Sequence, residues 1–206
     1  EYMESIFVFE QTASYSEECF ASVYSFQFSR DKNYRFLLEK GFHMVLVYGW
    51  NYLIPSEVLE AIPFFNIHPS LLPKYRGPIP IIFQLLNHEK EFGVTIHKMN
   101  EKFDEGPILS QKSFTLTERN YALIYMKIAG ITLQLVDQFF TNLVAENFQL
   151  EKLKLCPQKN NEASYFSYRD LDEYIIDSSY NYCDFLYLFY TFYSVVPVRI
   201  FYNYKI

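Results

Sequence analysis

The chain has 206 residues, half of them hydrophobic and a fifth aromatic, with 19 Tyr and 21 Phe, which excludes a disordered or low-complexity protein and allows one sizeable core. The formal charge is −6 and the sequence pI about 5.3, with no Lys/Arg cluster, so a large nucleic-acid partner is not expected. Cys19, Cys156 and Cys183 are odd in number, far apart and free of any C-x-x-C pattern, so neither a disulfide framework nor a zinc site is expected and a reducing cytoplasm is the simplest compartment.

In chain order, Ser5 to Phe9 reads as a short strand followed by a polar loop through Ser29. The chain begins at Glu1 rather than Met, so a strand ahead of this one is expected to be missing. Asp31 to Lys40 predicts a helix closed by Gly41, and Phe42 to Tyr48 (F-H-M-V-L-V-Y) a buried strand of the parallel-sheet kind. Ser56 is placed to cap a helix through Ala61, Phe64 to Ile67 is a further apolar strand, and Pro78 to Asn87 predicts a helix with proline in its first turn. Strands follow at Phe92 to Met99 and Ile108 to Leu116, joined by a polar loop with Asp104 and Gly106. Thr117 caps a long helix to about Glu146, with Leu123, Ile124, Ile128, Ile131, Leu135, Phe139 and Phe140 as its core stripe.

Cys156 to Asn161 turns polar and reads as a linker. A Tyr/Phe-rich appendage then carries a helix near Tyr180 to Tyr193 and a strand at Val198 to Tyr204. The alternation predicts an α/β fold, a Rossmann-like doubly wound, mostly parallel sheet over residues 1–155, with a small α+β appendage over 156–206. The longest apolar runs, such as Met44 to Val47 and Ile79 to Phe83, read as too short to span a bilayer, and no signal peptide opens the sequence, so no membrane partner is expected.

Asn66 and His68 are two residues apart, so on a strand their side chains leave the same side at its C-terminal end, where open α/β sheets bind ligands. Pro69 and Pro73 stiffen the loop that follows, and Gly77 lets it turn into a helix. A carboxylate from Asp104 beside His68 would fix the imidazole tautomer and raise its pKa, while Asn66 could donate to an oxyanion. Alone, an Asn or His at a strand end is usually structural, and a D-x-G loop is mostly a turn. A zinc hydrolase built on His68, His97 and Asp104 has no compact ligand spacing behind it.

Taken together, N-I-H-P-S-L-L-P at Asn66 to Pro73 and G-V-T-I-H…D-E-G-P-I-L from Gly93 to Leu109 resemble the signatures of the folate-dependent formyltransferases. That family includes methionyl-tRNA, glycinamide ribonucleotide and amino-sugar nucleotide formyltransferases. The resemblance covers about Leu37 to Leu116 and includes Y-G-W-N-Y-L-I-P at Tyr48 to Pro55, where the family places its folate loop. It implies transfer of a formyl group from 10-formyltetrahydrofolate to a primary amine, with Asn66, His68 and Asp104 as the catalytic trio. His68 is the expected base, Asn66 the oxyanion donor and Asp104 the group that orients His68. Gly49, Trp50, Asn51, Tyr52, Leu53, Ile54, Glu105 and Gly106 are the expected folate-binding residues. His43, His88 and His97 are read as structural or surface residues.

The K-Y-R-G stretch at Lys74 to Gly77 resembles the methionyl-tRNA and sugar branches. So do Pro157-Gln158, Ser164-Tyr165-Phe166, Arg169, Asp172 and Ile176-Asp177, although Ser178 stands where an aromatic is usual. The chain stops where methionyl-tRNA formyltransferase would continue into a basic β-barrel, so a small nucleotide-linked amino sugar is the expected acceptor, tRNA the weaker one. A formyltransferase-like binding domain without catalysis is the alternative of a different class. Oligomeric state is left open, a homodimer included.

Overall fold

The computed structural model describes residues 5–9, 21–25, 34–40, 42–50, 52–116 and 121–173. Its strands are β1 (Ser5–Phe9), β2 (Ala21–Ser25), β3 (Met44–Tyr48), β4 (Phe64–His68), β5 (Glu91–Lys98) and β6 (Ile108–Thr115), and its α-helices are α1 (Arg35–Lys40), α2 (Ser56–Ala61), α3 (Pro80–Leu86) and α4 (Tyr121–Ala145). The strands form one sheet in the order β2-β1-β3-β4-β5-β6.

Helices packed on a single sheet give the expected α/β class, but the strand directions differ from a mostly parallel sheet. Only β3 and β4 pair in parallel; the other four pairings among the described strands are antiparallel. The apolar runs that suggested parallel strands report burial on both faces, and such burial carries no direction. The β5–β6 connection, residues 99–107, is also too short for a parallel crossover, which takes about a dozen residues or more.

Alternation along the buried strands splits the core in two. Met44, Leu46, Phe65 and Ile67 point to the side covered by α4, where they meet Ile124, Ile128, Ile131, Leu135, Phe139 and Leu143. Val45, Val47 and Phe64 point to the other side and pack with Leu37, Val58 and Trp50. Asn66 and His68 share the parity of Phe64, so they lie on this second face.

The helix α4 corrects one sequence expectation. Ala122–Ala145, 24 residues at mean hydropathy 1.2, is long and apolar enough to cross a membrane by length and composition. Here one face packs along β5 and β6 by the stripe just named, while Met126, Leu133 and Val144 on the rest of the helix are exposed. Two caps also shift. Pro55 rather than Ser56 occupies the N-cap of α2, and α3 starts at Pro80 after Ile79, whose φ of 51° is rare for a β-branched residue. The predicted cap Thr117 lies outside the described residues.

The stretch 156–173 is docked on the body, not extended as a linker. Cys156 exchanges two backbone hydrogen bonds of 2.8 Å with Ile108. Arg76 N–H donates to Ser164 O and Phe166 N–H to Arg76 O, both at 2.9 Å, while the Phe166 ring stacks on Tyr75 at 5.3 Å and Phe83 at 4.6 Å. Gly77 is required under this strap: its φ is 98°, and a Cβ there would collide with the Phe166 carbonyl. The helix and strand expected at Tyr180 to Tyr193 and Val198 to Tyr204 lie outside the described residues.

Candidate active site

The site is built outward from β4. Its antiparallel register with β5 sets Asn66 opposite His97 and His68 opposite Thr95. Directly opposed residues of such a pair have Cβ atoms about 5 Å apart on one face, so two strands supply two histidines and an asparagine to one spot. Because β3 runs parallel to β4, Gly49 and Trp50 emerge beside the C-terminal end of β4.

The loop after β4 is fastened to β5 by Thr95, which is fully buried. Its Oγ1 donates to Ser70 O (2.7 Å) and accepts from Leu72 N–H (3.2 Å) and Gln111 Nε2 (2.8 Å). Further along, the Tyr75 carbonyl accepts a 2.7 Å hydrogen bond from His68 Nε2. A carbonyl cannot donate, so Nε2 carries the proton and Nδ1 is the basic nitrogen of a neutral His68.

Asp104 closes the group from the 99–107 loop. Its Oδ1 accepts from Asn66 Nδ2 at 3.2 Å and lies 3.3 Å from His97 Nε2 and 3.6 Å from His68 Nδ1. Its Oδ2 accepts from the Gly77 N–H at 2.9 Å. Asp104 has a φ of 54°, a left-handed conformation that Asp tolerates better than most residues. Gly106 permits the loop's close return, since a Cβ there would run into the Lys98 carbonyl.

These contacts set the charges. Burial lowers the His68 pKa, against the opposing pull of Asp104 and the Tyr75 carbonyl, with His97 adding to the fall. Burial alone would raise Asp104, but His68, the hydrogen bond and charge of His97, and the Gly77 N–H together hold it well below the usual carboxylate range. The resulting state is a neutral imidazole beside an ionised carboxylate.

Asn66, His68 and Asp104 thus meet, and all three line a cavity of about 430 Å³ together with Gly49, Trp50, Phe103, Tyr165 and Tyr168. The Nδ2 of Asn66 already faces Asp104 Oδ1 and, at 3.4 Å, His97 Nε2, whereas its buried Oδ1 has no hydrogen-bond partner. As found, Asn66 offers an acceptor to a ligand, while its Nδ2 has one of two N–H groups committed to Asp104. Of the expected folate residues, Gly49 and Trp50 line the cavity. Tyr52 and Leu53 are exposed, Ile54 is buried in the second core cluster, and Glu105 pairs with Arg76 (3.5 Å) and Lys102 (3.3 Å). Gly106 serves the loop rather than the cavity lining. Asn51 lies outside the described residues.

His97, expected from the sequence to be structural or surface, does not line the cavity. It is buried and touches both Asn66 and Asp104. The signal for these contacts was present in V-T-I-H, whose His falls opposite Asn66 once the strands are set antiparallel. Tyr165, Ser167 and Tyr168 of the strap were not foreseen at the cavity.

Comparison with known proteins gives a consistent result. A family model described as formyl transferase matches residues 8–128. A methionyl-tRNA formyltransferase of Fervidobacterium nodosum is 36% identical over 121 residues, 58% of this chain and 36% of the relative. The aligned part spans well under half of the curated relatives, 36%, 37% and 39% of three of them. Among solved structures, a sugar N-formyltransferase from Shewanella sp. superposes with a TM-score of 0.59 at 26% identity, covering 77% of this chain and 63% of that one. A formyltransferase from Anoxybacillus kamchatkensis, solved with UDP-4,6-dideoxy-4-formamido-L-AltNAc and tetrahydrofolate, gives 0.60 at 25% identity, covering 72% and 76%.

Proposed function

Since the chain belongs to the formyl transferase family, we propose that it moves a formyl group from 10-formyltetrahydrofolate to the primary amine of a nucleotide-linked amino sugar. The observation that carries the reaction is the meeting of Asn66, His68 and Asp104 at one cavity. The buried, unpartnered Asn66 Oδ1 suits an amine N–H, and the flat apolar lining of Trp50, Ile79 and Phe103 suits a pterin-like ring.

The chemistry follows from the protonation states. An amine attacks only when neutral, so a base must hold its departing proton. His68 Nδ1 is the free basic nitrogen, kept uncharged at neutral pH by burial, and Asp104 at 3.6 Å stabilises the imidazolium formed when Nδ1 takes the proton. Asn66 Oδ1 orients the amine, and Asn66 Nδ2 supports the charge growing on the formyl oxygen. The bond from amine nitrogen to formyl carbon forms, the bond from that carbon to the donor nitrogen breaks, and the proton held on His68 passes to the donor nitrogen.

The acceptor class is supported by the structural likeness to the two sugar-type enzymes, and the chain's negative charge disfavours the polyanionic tRNA. Identity with methionyl-tRNA formyltransferases favours a second reading, in which methionyl-tRNA is the acceptor. Isotopic formyl transfer to a panel of nucleotide-linked amino sugars, with initiator methionyl-tRNA alongside, separates the two. Labelled amino sugar is the expected product; labelled tRNA alone selects the second reading. No label in any amine while the donor still binds overturns both, and full activity of His68→Ala overturns the mechanism.

A further inference from the structure

The described strap carries a side chain that reaches the loop bearing Asp104. Gln158 Nε2 donates to Asp104 O and Gly106 O, both at 2.7 Å. Its Oε1 accepts from Arg76 Nε (3.1 Å) and Nη2 (2.8 Å). The amide is therefore satisfied at both ends, and turning it over would set oxygen against two carbonyls and nitrogen against two guanidinium donors. Arg76, only 5% exposed, is itself held: Nη2 also donates to Asn160 Oδ1 at 2.8 Å, Nη1 stands 3.5 Å from Glu105 Oε1, and its backbone pairs with the strap.

From this network we propose that Gln158 is a positioning residue for the reaction, holding the 104–106 backbone where the Asp104 carboxylate meets His68, with Arg76 fixing the Gln158 amide. The proposal rests on the reading of Asp104 and His68 given above. Its physical basis is the loop's own weakness. A left-handed residue costs about 1–3 kcal/mol, so the conformation persists only where its surroundings over-determine it. The Asp104 carboxylate is held by Gly77 N–H and Asn66 Nδ2, and its backbone carbonyl by Gln158. Gly106 is gripped by the same amide two residues on. Without Gln158, the Asp104 and Gly106 carbonyls lose their shared donor and Arg76 loses one of its acceptors, and the loop gains the freedom to carry its carboxylate away from the imidazole.

The test reads the loop through His68, whose ring faces Asp104, His97 and the Tyr75 carbonyl. In the full chain, the His68 imidazole is titrated by heteronuclear NMR alongside a thermal melt. Gln158→Met keeps the volume but can neither donate to the carbonyls nor accept from Arg76. As Asp104 withdraws, its raising influence fades while burial and His97 remain, so the His68 midpoint falls by about one pH unit. Gln158→Asn, which withdraws the amide by one methylene, shifts it the same way with a smaller effect on the melt. Asn160→Ala removes one support of Arg76 without touching the loop and leaves His68 where it was. An unchanged His68 midpoint in the folded Gln158 variants, or an equal shift in Asn160→Ala, overturns the proposal. The readout needs neither donor nor acceptor, so absence of formyl transfer would count against the proposed reaction alone.

Discussion

His97 Nε2 stands 3.3 Å from Asp104 Oδ1, so the carboxylate faces a second imidazole besides that of His68. Both histidines are buried, and one oxygen serves His97, His68 and Asn66. His97 in turn acts on His68, whose pKa it helps to lower.

Replacing His97 with Leu therefore has two readable effects. Loss of a hydrogen bond to a buried carboxylate lowers unfolding stability by about 1–3 kcal/mol in denaturant titration. The His68 midpoint rises, because His97 contributes to its depression. That sign is opposite to the one expected for Gln158→Met, so paired NMR titrations distinguish loss of His97 from retreat of Asp104.

Stability should fall on acidification in two windows. The folded-state pKa of His68 is depressed below the ordinary imidazole value of 6.5, so the unfolded chain takes up this proton first. The His68 contribution is fully present above that value and is lost as pH drops toward the folded pKa. Asp104, also depressed, adds a second loss below the ordinary carboxylate value of 3.8. Thermal melts from pH 8 to pH 4 should show the first decline, and His68→Asn should flatten it; an equally steep decline in that variant would assign it elsewhere.

Thr95→Val preserves shape and removes one oxygen. Leu72 N–H loses its acceptor, Gln111 Nε2 one of its two and Ser70 O its donor, around a hydroxyl that is fully buried. The cost is about 2–4 kcal/mol, measured by chemical denaturation, well beyond what a surface threonine would give.

Gly106→Ala tests the loop from its other end. The added methyl would occupy the space of the Lys98 carbonyl, which is backbone in a strand and has no room to yield. The loop must move instead, and formyl transfer is expected to drop by about 10²-fold or more, the scale of a displaced catalytic group. Gly49→Ala is the contrast: nothing lies within reach of its methyl, and only the backbone preference at φ 70° opposes it.

Much of this was legible in the chain. The two-residue step from Asn66 to His68 fixes a shared side on any strand, and the alternation of helix and strand fixes the α/β class. Strand direction was not legible, because a segment such as Phe64–His68, buried on both faces, reads alike in parallel and antiparallel sheets. His97 was hidden for the same reason, since only pairing brings it opposite Asn66. Pro157-Gln158 carried a family resemblance, but the role of Gln158 was hidden by composition: a polar stretch around a proline reads as a linker, although the Gln158 amide is satisfied at both ends by the body of the fold. Ile79 defies local preference altogether, a branched side chain in a left-handed cap that sequence statistics would assign to glycine or asparagine.

The strap also dates the assembly of the site during synthesis. Tyr75 N–H finds its acceptor in Ser164, 89 residues later in the chain. At ordinary translation speeds that separation amounts to roughly 5 to 20 s between the emergence of one partner and the other. Through that interval the 70–79 loop, and from its own synthesis onward the Asp104 loop, exist without their common brace, so a nascent chain carries Asn66, His68 and Asp104 before it carries the strap that holds their loops.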